Sequence, residues 1–169
     1  TTICDGRIVN AGFTNADGNL PVYSGSLLTT GSFLQVSSGS QFLNSGITTA
    51  DEFLVYSGAL ANSASGYVGS GIHNNGAISA IDSAIVRGAD SKWLTNLLLV
   101  TNNKTLTIDS GGLVDVNGKV DITSNGRIYT TKGGRLEADT LTLTSGGDLY
   151  SSSATVGTSF SASGSANSL

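Results

Sequence analysis

Asp115 and Glu137 lie 22 residues apart, each at the centre of an apolar-polar-apolar triplet, V114-D-V116 and L136-E-A138. Side chains alternate between two faces along a strand, so the carboxylate of each triplet takes the face opposite its flanking residues. If the triplets are neighbouring strands, their backbones stand ~4.8 Å apart. Two carboxylates that close could act as acid and nucleophile in glycoside cleavage, or share a Ca²⁺ ion. The plainer alternative is a solvated face. On the same spacing Asp121 stacks on Thr142 and Arg127 on Asp148, so the acidic ladder is only two deep. Tyr129 and Tyr150 fall 21 residues apart and could stack on a sugar ring, or simply on each other. His73 is the sole histidine, which rules out His-based triads and multi-His metal sites. Asn103-Lys104-Thr105 fits the glycosylation pattern, but a single match in an Asn- and Thr-rich chain is close to chance. The threonines of T105-L-T107 and T140-L-T-L-T144 do not recur on one face at every period, which argues against ice binding. We expect no catalytic residue and no cofactor.

What would position these residues is a repeat. L106-T-I108 returns as I128-Y-T130 and then at Leu149; V114-D-V116 returns as L136-E-A138, and V120-D-I122 as L141-T-L143. Three short strands per period of 19 to 22 residues, each over its counterpart in the next period, is the signature of a parallel β-solenoid. The even positions Leu106, Ile108, Val114, Val116, Val120, Ile122, Ile128 and Leu136 should face inward. Asp109, Asp115, Lys119, Asp121, Arg127, Arg135, Glu137 and Asp139 fall on odd positions and should face water, because burying an unpaired charge is costly. The parity reverses at Asp139–Thr140, as it would at a corner. The Gly-Gly pairs at 111–112, 133–134 and 146–147 read as corners too. The fold expected is all-β, a single right-handed parallel β-solenoid.

Composition agrees. Leu, Ile, Val and Phe supply about 26% of 169 residues, above the roughly 20% below which disorder is expected. A net charge of −4 without any Lys/Arg cluster makes nucleic acid a poor partner. No apolar run is long enough for a membrane-spanning helix. The chain has no Met and begins Thr1-Thr2, so it reads as a processed chain or an excised fragment, and no signal segment remains at its N-terminus, which fits removal during secretion. Its single Cys4 has no internal disulfide partner and is either a free thiol or a bridge to another chain.

Along the chain, residues 1–21 repeat poorly and read as a cap or entry strand, with Ile8 and Val9 its apolar part. Residues 22–150 form the solenoid, with V36-S-S-G39 and V55-Y-S-G58 at a 19-residue spacing and V22-Y-S-G25 as an earlier copy. Residues 77–103 break the rhythm and suggest a loop or lateral excursion. Residues 151–169 are Ser-rich; they either add strands to the coil or are held by neighbouring molecules. About eight coils would give a rod roughly 40 Å long.

The stretch from Val36 to Gly71, and V55-Y-S-G-A-L-A-N-S-A64 in particular, resembles the repeats of AIDA-type autotransporter adhesins, although Ala59 replaces the second glycine of their V-x-S-G-G element. K104-T-L-T-I-D-S-G-G-L-V-D-V-N-G118 resembles the passenger β-helix of the same secretion class. The resemblance spans about residues 22–150 and implies a secreted, bacterial surface-held β-helix active in adhesion or self-association. The function expected is therefore a non-enzymatic extracellular structural or adhesive protein. Its partners would be copies of itself, with cell-surface glycans a further possibility. Cys4, Ile8, Val9 and Phe160 are the candidate assembly residues. The rival expectation is a carbohydrate-binding or carbohydrate-cleaving solenoid of tail-spike or lyase type.

Overall fold

The computed structural model describes the backbone of residues 7–10, 14–16, 19–24, 26–71, 76–163 and 165–168, and the side chains of 20–24, 26–71, 76–163 and 166. These residues form an all-β, parallel solenoid, and all pairings between its strands are parallel. The strands stack into three faces. The first face holds, in spatial order, 7–10, 27–30, 47–50, 77–80, 65–68, 97–100, 119–122, 140–143 and 159–162. On the second lie 14–16, 33–36, 52–55, 83–87, 105–109, 127–131, 148–151 and 165–168. The third consists of 19–22, 41–44, 60–62, 92–95, 113–116, 135–138 and 154–156.

Stacking follows the triplets. Leu106 lies beside Ile128 and Ile128 beside Leu149; Val114 pairs with Leu136, and Val120 with Leu141. All eight even-numbered aliphatics are at most 1% exposed. The parity reversal is a corner of unequal length: Asn117-Gly118 in one coil faces the single residue Asp139 in the next. One charge departs from the pattern. Asp109 is buried, because Arg87 of the preceding coil closes over it.

Several sequence expectations change in detail. Strands 7–10, 14–16 and 19–22 pair in regular register with the following coil, so strands of the solenoid already run within the segment read as a cap or entry strand. Val22 stacks on Asn44 of the third face, whereas Val36 and Val55 belong to the second, so V22-Y-S-G25 is not a copy of V36-S-S-G39. Within 77–103, residues 83–87 and 92–100 are ordinary coil strands. The irregularity is narrower: 65–68 is followed by residues 69–76, and 77–80 then returns to lie between 47–50 and 65–68. The Ser-rich tail adds strands, with 154–162 on 136–143 and 165–168 on 148–151.

Where the largest side chains enter the interior, a small residue stands beside them in register. Along the third face Phe42, Ala61 and Trp93 succeed one another; along the second, Leu34, Phe53 and Ala84. Trp93 is fully buried, donates its Nε1–H to Ser63 Oγ at 3.1 Å, and meets Phe53 edge-on with ring centres 5.0 Å apart. Gly66 on the first face makes the space for it, since a Cβ there would stand 2.5 Å from Trp93 Cζ2. At the corners, tight turns close with bonds such as Gly126 N to Thr123 O at 2.8 Å. There Ser124 and Asn125 adopt φ of 49° and 58°, and a Cβ on Gly126 would collide with the carbonyl oxygen of Val100 in the coil beside it. The glycine after the turn is thus required by close backbone approach.

Trp93→Ala removes the largest buried side chain from a site with no neighbour able to fill it. It should cost about 3–5 kcal/mol in chemical denaturation, and Gly66→Ala about 1–3 kcal/mol through overpacking against the same ring. Unchanged denaturation midpoints in both variants would contradict this packing.

Candidate functional site

Because inward positions are taken by the core, surface chemistry must come from outward ladders, from corners and from coil ends. Asp115 and Glu137 are register partners on the outer side of the third face, as their spacing implied, and both side chains are partly exposed. Neither belongs to any of the ion pairs among the described residues. Among those residues no group of three or more His, Cys, Asp or Glu is placed to hold a metal ion.

Tyr129 and Tyr150 are register partners on the second face, and their rings stack at 4.8 Å between centres and 7° between planes. Each ring covers one face of the other, which is the simple outward ladder. Below them sits Thr107, paired with Tyr129, so the threonines of T105-L-T107 do not stack on threonines. Other outward ladders pair opposite charges across coils. Arg87 clasps Asp109 through Nε at 3.1 and 3.2 Å to the two carboxylate oxygens, Lys104 reaches Asp82 at 2.7 Å, and Arg127 stands 3.9 Å from Asp148. Asn103 of the glycosylation pattern is exposed on a corner turn at φ 59°.

The assembly residues divide. Phe160 stacks on Leu141 at an inward register position yet is 50% exposed, because the last described coil has no further coil over it among the described residues. Its inward neighbours Ala154, Ala162 and Ala166 are exposed as well. Ile8 and Val9 lie on the first strand, paired with Leu28 and Thr29, but their side chains are outside the described set. Cys4 and His73 lie outside the described residues.

One feature escaped sequence reasoning. Two adjoining clefts of about 520 and 360 Å³ open at the corner between the third and first faces. Asn62, Ser63 and Asn96 line both; Asp115 and Asn117 line the second. The opening follows from the returning strand. Between 47–50 and 97–100 the first face holds two strands, whereas the second and third faces hold one each at that level, 83–87 and 92–95. An extra layer ~4.8 Å thick spreads the adjacent corners. The available signal was spacing: Val36 to Val55 is 19 residues, but Val55 to its partner Val86 is 31.

Comparison with family models, curated proteins and solved structures returns no match.

The tyrosine ladder yields a measurable coupling. In a double-mutant cycle with Tyr129→Ala and Tyr150→Ala, the two rings should show an interaction of about 0.5–1.5 kcal/mol in unfolding free energy. Additive losses would show that the stack contributes nothing beyond each ring's own burial.

Proposed function

We propose that this chain is a non-enzymatic, extracellular structural and adhesive protein that associates with copies of itself by stacking solenoid ends. The observation that carries the reading is the last described coil: strands 154–162 and 165–168 have no strand over them among the described residues, and Phe160, at an inward register position there, is half-exposed. Unpaired strand edges are templates for pairing with another chain, and apolar surface beside them adds a driving force. A second copy seated there in parallel register would extend both the hydrogen-bond ladder and the inward stack. Because the two ends of a solenoid differ, such contacts are head-to-tail and generate filaments where the rotation does not close. The V55-Y-S-G58 type of element, which resembles AIDA-type adhesin repeats, supports placing the protein outside the cell at a bacterial surface. Small hydroxyl and amide side chains on the outside suit a passive, solvated rod.

Sedimentation velocity over a wide concentration range tests this directly. The mass should rise with concentration, and Phe160→Asp, which puts a charge onto the stacking surface, should hold the chain as a monomer. A single monomeric species at every concentration would remove self-association from the account.

A further inference from the structure

We propose that the cleft beside the returning strand is a binding site for a neutral, hydroxyl-rich glycan segment. The site lies on the side of the solenoid, away from the last described coil, so it is independent of the self-association above.

Its shape comes from backbone. The extra layer on the first face holds the corners apart, and buried contacts keep them so. Asn44 donates its side-chain amide to the carbonyl of Ala77 at 2.7 Å, while its oxygen accepts from Thr48 Oγ1 at 2.9 Å. Both partners are buried in the wall, so the start of the returning strand is pinned to the coil beneath it. Ser63 is engaged with Trp93 in the same wall. The cleft is therefore preformed, as small-molecule sites usually are, and its size falls in the range of such sites.

Its chemistry comes from what is left free. Asn62, Asn96 and Asn117 are exposed, and their side-chain amides make no hydrogen bond among the described residues. An amide offers two donors and an acceptor oxygen with two lone pairs, which matches the vicinal hydroxyls of a sugar, each donor and acceptor at once. Leu43 at one end and Leu94 towards the other supply apolar patches for the C–H faces of the rings. The third-face residues Asn62, Leu94 and Asp115 follow one another in register. The cleft thus runs along the coil axis, with polar Asn62 and Asp115 two coils apart and Leu94 between them, a spacing of roughly 10 Å that is close to the length of two pyranose units. No Lys or Arg is among its lining residues, and its one ionisable member, Asp115, neighbours Glu137. That electrostatic character excludes uronates and sulfated sugars and favours neutral hexose or N-acetylhexosamine chains.

The test is calorimetric titration of the Phe160→Asp chain, kept monomeric so that assembly does not contribute, with neutral hexose and N-acetylhexosamine oligosaccharides and with oligouronates. Saturable binding of a neutral oligosaccharide is expected, weakened at least about tenfold in Asn62→Ala/Asn96→Ala and unchanged in Tyr129→Ala. Circular dichroism of the double variant should match the parent, since both side chains are exposed. Three outcomes overturn the proposal: no saturable binding of any neutral oligosaccharide, preference for the uronates, or binding that survives the asparagine changes. Loss of binding in Tyr129→Ala alone would place the site on the tyrosine ladder and overturn it as well. Should Phe160→Asp still assemble, the self-association reading fails while the cleft is still judged by the asparagine variants.

Discussion

Every interior strand of this solenoid must satisfy its backbone from two parallel neighbours, one on each side, about 4.8 Å away. That requirement fixes which side chains meet. Residues one coil apart are forced into register, so an inward position must be apolar in coil after coil, or small wherever its neighbour is large. Leu106, Ile128 and Leu149 meet the first condition. Trp93 meets the second only because Ala61 precedes it and Gly66 withdraws on the facing side. Corners obey the same constraint, since the close approach of stacked turns leaves no room for a Cβ at Gly126, Gly134 or Gly147.

The constraint also explains where function can reside. With inward positions committed to packing, recognition is left to outward ladders, corners and ends. The ladders are largely self-satisfied: Tyr129 with Tyr150, Arg87 with Asp109, Lys104 with Asp82. Two places are not. One is the last described coil, where Phe160 has a stacking partner on only one side among the described residues. The other is the corner cleft, where one face carries a strand more than its neighbours and Asn62 and Asn96 are left exposed.

Between Leu106 and Leu149 the fold was legible because apolar residues alternate with polar and charged ones within each strand, and each period has nearly the same length. Parity alone assigned inside and outside, and spacing alone assigned the neighbours of Asp115 and Tyr129. Asp109 was misread because parity cannot show that Arg87, 22 residues earlier, would fold over it. The region before Leu106 was harder for two reasons. Short motifs such as V-Y-S-G recur on different faces, so V22-Y-S-G25 mimicked a second-face corner. Strand order in space also departed from order in sequence at 77–80, and no local pattern encodes that; only the enlarged gap from Val55 to Val86 hinted at it. The cleft was invisible for the same reason, since Asn62 and Asn96 acquire their importance from a strand that lies between other coils.

The arrangement of that strand is the point on which the stacking scheme and the cleft both turn, and cross-strand nuclear Overhauser effects measure it most directly. The account predicts backbone contacts from Ser79 to Thr49 on one side and to Tyr67 on the other, with Leu99 beyond Tyr67. Contacts from Ser79 to Leu99, with Tyr67 directly against Thr49, would restore simple sequential winding and contradict it.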